Sequence, residues 1–325
     1  MKKQFLYFLG GLVFACTILI TYEKIQAKDN DKDVQSTTAA TFDAGYSEQA
    51  KENNINAQIV KIIHAPESLT FAGENVPLEY FDVVESLERE LAQITYSHHS
   101  TLLTIRLSGR YFGIIDSLLK AEGVPEDFKY LCVAESNLQN LTSPAKAVGF
   151  WQFLEQTGKH YGLEINDEVD ERYDIEKSTI AACKYLKDSY RKYKNWTLAA
   201  ASYNTGAGNI DKAIENQKTN DYYDMVLHIE TSRYLFRILA YKIILNSPEL
   251  YGFYVAENDK FKPFKIHEIT VNEQIDNIAD FAQKYGTNYK MLKIFNPWLR
   301  KHILSNKSKK PYKIKIPTQN SRLLN

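Results

Sequence analysis

Between Pro77 and Tyr254 apolar residues recur at steps of three and four. Leu78, Phe81, Val84, Leu87 and Leu91 form one such row, and the stretch from Leu102 to Leu119 repeats it. That spacing gathers apolar side chains on one face of a 3.6-residue helix, and strand signals are scarce in the region. It predicts an all-α domain over 76–258, about 180 residues with seven or more helices. After Lys262 the pattern changes. Short β-branched runs at Ile266–Val271 and Tyr312–Ile316 enclose helical stretches at Ile275–Tyr285 and near Lys290–Phe295. Two strands flanking two helices predict a small α+β module, β-α-α-β, over 262–318, with a tail at 319–325. The fold class expected is therefore mainly α.

The chain begins differently. Lys2 and Lys3 precede an unbroken apolar run from Phe5 to Tyr22, 18 residues, closed by Glu23 and Lys24. This is the layout of an export signal, and three fates are open for residues 1–27: cleavage after Ala27, retention as a membrane anchor, or lipidation at Cys16. Phe14 occupies the position two before Cys16 where lipidation needs a small residue, which puts that fate last. From Lys28 to Asn75 the chain is polar without sustained periodicity, and 28–75 reads as a linker. An exported, cell-envelope location follows, periplasmic or membrane-attached. Two cysteines remain beyond the signal, Cys132 and Cys183; both fall on apolar helix positions and are expected as buried free thiols rather than a disulfide framework.

Charge sharpens the division. Forty Lys and Arg balance forty Asp and Glu over 325 residues, yet residues 261–325 hold 13 bases against four acids, +9, leaving −9 on the first 260. A basic module of this kind suits a solvated surface, an anionic polymer or a membrane surface. With 44% hydrophobic and 25% charged residues, composition argues against wholesale disorder, collagen-like and polytopic membrane classes. There is no phosphate-binding glycine loop and no ligand-spaced Cys/His cluster, so no cofactor, metal or nucleic-acid partner is expected.

The most informative position is Glu135. Pro125, Glu126 and Asp127 resemble a helix start, and within that helix Phe128, Leu131, Cys132 and Glu135 fall at i, i+3, i+4 and i+7. A carboxylate on the apolar stripe is either paired with a base or kept protonated. The first would make it a structural ion pair; the second is what general acid catalysis on a glycosidic oxygen requires. Downstream, Ser143-Pro144-Ala145-Lys146-Ala147-Val148-Gly149-Phe150-Trp151-Gln152 places small residues before a Gly-aromatic-aromatic-amide cluster, a turn that would offer Trp151 and Gln152 to a ligand. Further on, the alanine-rich stretch from Trp196 ends at Tyr203-Asn204 and a glycine turn. Singly, Trp151 and Trp196 read as core aromatics and Gly206 and Gly208 as caps; together, in this order, they read as a cleft.

These residues carry a resemblance. Glu135-Ser136, the Ser143–Gln152 run, Val169-Asp170-Glu171-Arg172-Tyr173-Asp174, Tyr203-Asn204-Thr205-Gly206 and Glu230-Thr231-Ser232-Arg233-Tyr234 resemble, in order, the soluble lytic transglycosylase (SLT) family with its goose-lysozyme-like fold, in particular its membrane-bound lytic murein transglycosylase D branch. The resemblance implies a lysozyme-like catalytic domain acting on peptidoglycan glycan strands. It implies Glu135 as the single catalytic acid and base: protonating the oxygen between N-acetylmuramic acid and N-acetylglucosamine, then taking the proton of the muramic 6-hydroxyl as a 1,6-anhydro ring closes. It further implies that Gln152, Tyr203, Ser143 and Asn204 line the sugar cleft and that Glu230 is a second acid near it. Lys146 departs from the family's usual glycine, which puts the local turn in question. Ile275–Ala279, Tyr285-Gly286, Leu292 and Asn296-Pro297-Trp298-Leu299 resemble a LysM module, implying glycan binding, although Val271-Asn272-Glu273-Gln274 replaces the usual opening Gly-Asp turn.

Two alternatives stay open. A lysozyme-like hydrolase needs a second carboxylate; none lies between Glu135 and Gln152, but Asp170, Asp174 or Glu230 could fold into the cleft. A non-catalytic wall-binding protein would keep the fold without needing Glu135, Gln152 and Tyr203.

Overall fold

The computed structural model describes residues 60–319 together with 322 and 323. The expected signal or anchor over 1–27 and most of the expected linker lie outside the described residues. Within the described part of that linker, residues 70–75 depart from the expectation. Two short strands, β1 (Thr70–Phe71) and β2 (Glu74–Asn75), pair as a hairpin around Ala72 and Gly73, both at positive φ, 53° and 83°. Two left-handed residues match the turn to the strands' twist. Phe71 is fully buried, edge-on to Phe128 at 5.2 Å, a burial that contributes roughly 1.5–3 kcal/mol. Polar composition concealed this because one aromatic and one capping carboxylate, Glu74, do the anchoring.

Among the described residues eight α-helices follow: α1 (Phe81–Tyr96), α2 (His98–Ala121), α3 (Phe128–Ser136), α4 (Glu155–His160), α5 (Ile175–Tyr193), α6 (Trp196–Thr205), α7 (Ala207–Gln217) and α8 (Ile229–Asn246). In α1 the buried row is Val83, Leu87, Leu91 and Ile94. Phe81, placed on the stripe by spacing alone, is 76% exposed because it is the first helical residue and the row centres on Val83. Glu74 accepts from the Trp196 and Thr197 N–H groups and the Thr197 hydroxyl, capping the positive end of α6.

Helix α8 is the hub, packing on α1, α3 and α6. Tyr234, Leu235, Ile238, Leu239 and Ile244 bury nearly its whole circumference, as expected of a helix apolar on several faces. Helix α3 is similar: Phe128, Tyr130, Leu131, Cys132 and Val133 are all buried. It ends abruptly at Asn137, whose φ of 50° and N–H to the Val133 carbonyl (2.7 Å) close the last turn. Glu135 therefore stands at a helix C-terminus. Cys132 and Cys183 are buried and unpaired.

The C-terminal module has strand β3 (Ile266–Val271) antiparallel to β4 (Tyr312–Pro317), with Ile269 opposite Ile314, and helices α9 (Ile278–Lys284) and α10 (Tyr289–Phe295) between them. Asn277 and Asn288 cap the two helices through their side-chain oxygens. Its core of Ile275, Ile278, Leu292, Trp298, Leu299, Ile314 and Ile316 also takes in Val169 of the helical domain. From Lys61 onward the chain forms one compact unit. No described helix is long and apolar enough to cross a membrane.

Candidate active site

Helices α3, α6 and α8 and the loop 141–153 surround a cleft of about 640 Å³. Glu135 lines it from the end of α3, Ser143 and Gln152 from the loop, Tyr203 and Asn204 from the end of α6, and Glu230 from the first turn of α8. The loop is built by backbone bridges from Val148 to Thr142 and Phe153. The Ser143 carbonyl accepts from Lys146 N–H (2.9 Å), and the Ser143 hydroxyl from Ala147 N–H (3.0 Å). Lys146 adopts φ 62°, so the turn that favours glycine closes all the same. At Gly149 (φ 86°) the Arg172 carbonyl oxygen would stand 2.0 Å from any Cβ, which makes glycine obligatory there. Gln152, at φ 49°, donates its amide N–H to the carbonyls of Gly149 (2.8 Å) and Leu141 (3.2 Å), leaving its amide oxygen as the acceptor for a ligand.

Trp151 is a correction. It is fully buried, its indole N–H donating to the Thr179 hydroxyl at 2.8 Å, and it does not line the cleft. Gln152 turns outward through its left-handed backbone, and that same turn drives the preceding indole inward. Its contribution is indirect: the Trp151 carbonyl accepts from the Tyr203 hydroxyl (2.8 Å), fixing the ring. Phe153 and Tyr185 hold Tyr203 edge-on at 5.9 and 5.0 Å. Asn204 is oriented by the Thr231 hydroxyl, which donates to its Oδ1 at 2.9 Å.

Of the three acids open for a second role, two are engaged elsewhere. Asp170 forms a two-point pair with Arg172 (2.7 and 2.9 Å), and Asp174 caps α5 through the Glu176 and Lys177 N–H groups. Glu230 alone shares the cleft with Glu135.

The spacing argument missed Tyr234 and Arg237. Both line the cleft from α8, where Glu230, Tyr234 and Arg237 stand at i, i+4 and i+7, a polar row along one face of the helix. The Tyr234 hydroxyl donates to Glu135 Oε1. Arg237 is directed to Glu90, its Nε 3.8 Å from Oε2. Among the described residues no Lys or Arg lies within ion-pair distance of Glu135. Its carboxyl is raised from the ordinary 4.5 to about 7, first by burial; the Tyr234 hydrogen bond and the Arg237 charge pull it down, and Glu230 pushes it up. The C-terminus of α3 acts in the raising direction too. Such a group holds a proton near neutrality and can release it. Removing the Tyr234 hydroxyl takes away a bond that favours the carboxylate, so Tyr234→Phe should move the alkaline limb of kcat/KM upward by about one pH unit. A pH–rate profile checks this. Among the described residues no group of three His, Cys, Asp or Glu converges as a metal-ligand set.

Residues 114–226 match the family model described as "Transglycosylase SLT domain", and residues 267–320 match "Soluble lytic transglycosylase C-terminal LysM-like domain". The chain carries an SLT domain and a LysM-like domain. The SLT match encloses Glu135, Ser143, Gln152, Tyr203 and Asn204 but stops short of α8, which contributes Glu230, Tyr234 and Arg237 to the same cleft. The chain is similar to "Membrane-bound lytic murein transglycosylase D" of Escherichia coli (strain K12), 29% identical over 218 residues covering 65% of this chain and 47% of that protein. The protein of the same name from Escherichia coli O6:H1 matches to the same extent. A "Putative tributyltin chloride resistance protein" of Alteromonas sp. (strain M-1) is 25% identical over 125 residues, covering 38% of this chain and 60% of that one. The chain thus spans about half the length of the first two relatives it matches.

Proposed function

We propose that the protein is an exported peptidoglycan lytic transglycosylase of the cell envelope, cleaving the bond between N-acetylmuramic acid and N-acetylglucosamine without water. The carrying observation is Glu135: a carboxyl on a cleft, hydrogen-bonded by Tyr234, without a Lys or Arg at ion-pair distance among the described residues, and raised to about 7. In the proposed reaction the Glu135 carboxylic acid gives its proton to the glycosidic oxygen as the bond from muramic C1 to that oxygen breaks. The N-acetylglucosamine side leaves as an alcohol. The muramic 6-hydroxyl then attacks C1, and its proton passes to the Glu135 carboxylate, restoring the acid and closing the 1,6-anhydro ring. Between the steps the Tyr234 hydroxyl steadies the carboxylate, and burial favours its reprotonation. Gln152, Asn204, Ser143 and the Tyr203 ring would position the sugars.

A second reading, a lysozyme-like hydrolase, is favoured by one observation: Glu230 lines the same cleft and could orient a water. Mass spectrometry of digested sacculi separates the two. Anhydro-muramic ends are the expected product; reducing muramic ends would establish hydrolysis instead.

A further inference from the structure

One segment of the SLT domain, 164–174, faces two ways. Outward, it is the dock of the LysM-like domain. Val169 bridges Leu299, Asp170 N–H donates to the Trp298 carbonyl (2.9 Å), and Arg300 N–H donates to the Glu168 carbonyl (2.7 Å). Glu168 also accepts from the Ser305 N–H and hydroxyl, both at 2.7 Å. The charge separation along the chain closes here: Lys310 meets Glu164 and Glu171, Lys301 meets Asp167, and Lys315 meets Glu176 of α5.

Inward, the same segment is the wall behind the cleft loop. Asn140 donates its side-chain N–H to the Tyr173 carbonyl (2.8 Å), the Tyr173 hydroxyl lies 2.9 Å from the Thr142 hydroxyl, and Arg172 donates to the carbonyls of Lys146 and Phe153 (3.3 and 3.2 Å). Gly149 lies directly on the Arg172 carbonyl. Tyr173 belongs to both sides, because its ring packs on the LysM-like core and the Arg300 guanidinium sits 3.9 Å above its centroid.

We propose that the LysM-like domain is a positioning element of the cleft, with Arg300 acting through Tyr173 to hold the loop 140–153 that carries Ser143 and Gln152. Three of its lysines are turned toward the SLT domain, so part of its positive charge serves this dock rather than a distant polymer. The inference rests on the transglycosylase reading for its consequence in catalysis, but the mechanical coupling is testable without it.

The test uses the full chain as Arg300→Ala, Arg300→Lys and Tyr173→Phe. Hydrogen exchange is read by mass spectrometry over 140–153. Loss of a cation–ring contact at a solvent-accessible site should raise exchange there about two- to five-fold, with Arg300→Lys recovering part of it. Tyr173→Phe, which cuts the link to Thr142 and leaves the dock intact, should raise exchange in the loop but not over 296–312. On soluble glycan strands Arg300→Ala should raise KM and leave kcat and the pH midpoint near wild type, because the loop supplies binding groups and not the acid. Unchanged exchange over 140–153 in Arg300→Ala would overturn the proposal. So would weakened retention on sacculi with loop exchange and KM unchanged, which would make the domain an anchor alone. If the products prove not to be anhydro sugars, the exchange result still decides the coupling.

Discussion

Glu135→Gln should lower glycan-strand cleavage by at least about 10³-fold, since in the proposed mechanism one residue serves both proton transfers and general acid–base assistance is worth roughly 10²–10⁴. The same substitution should make the protein more stable above neutrality. The native carboxyl, raised from 4.5 to about 7, binds its proton more tightly than the unfolded chain does. Its contribution is therefore fully present below about pH 4.5 and lost as pH rises through about 7, where a buried charge must be held. A neutral amide of the same shape carries no such penalty. The full shift corresponds to about 3 kcal/mol, and solvent in the open cleft reduces the expected gain to about 1–2 kcal/mol, a Tm rise of a few degrees at pH 8 that disappears near pH 5. The pairing of lost turnover with gained, pH-dependent stability is the signature of a group strained for catalysis. Cleavage unchanged in Glu135→Gln would remove the catalytic assignment and return the wall-binding alternative; a variant less stable than wild type at pH 8 would mean that Glu135 is a structural pair after all.

Spacing left that choice open; in the structure Glu135 and Glu90 differ in their partners. Both are glutamates on an apolar helical stripe. Glu90 is fully buried and is met by Arg233 at 2.6 Å and Arg89 at 3.6 Å. Glu135 is met by a tyrosine. Which helix supplies the neighbour is a long-range fact, 143 residues away for Arg233 and 99 for Tyr234, and no local pattern contains it. The helical domain and the β-α-α-β module were legible because periodicity is local. The loop of Ser143 and Gln152 was legible as a turn, but the orientation of Trp151 was not, because it depends on one left-handed residue beside it. The hairpin at 70–75 hid in polar composition. The +9 of the C-terminal segment was legible as a number, whereas its partners Glu164, Glu171 and Glu176 are long-range facts, 139 to 146 residues away along the chain.

Asp170 has the largest expected effect on stability, and it tests the hydrolase alternative at the same time. Its carboxylate and the Arg172 guanidinium are 10% and 9% exposed and form a two-point pair. Breaking a buried pair by neutralising one partner costs about 3–5 kcal/mol, because the remaining charge keeps its desolvation without its counter-charge. Asp170→Asn should accordingly lower Tm by roughly ten degrees. Replacing both partners with apolar residues, as in Asp170→Leu with Arg172→Met, removes the orphan charge and should recover much of that stability. It should not recover activity, since Arg172 also donates to the Lys146 and Phe153 carbonyls that frame the loop of Ser143 and Gln152. Thermal unfolding beside strand cleavage reads both. If Asp170→Asn instead abolished cleavage with Tm unchanged, Asp170 would be a reacting carboxylate and not a brace, and the single-acid mechanism would fall with it.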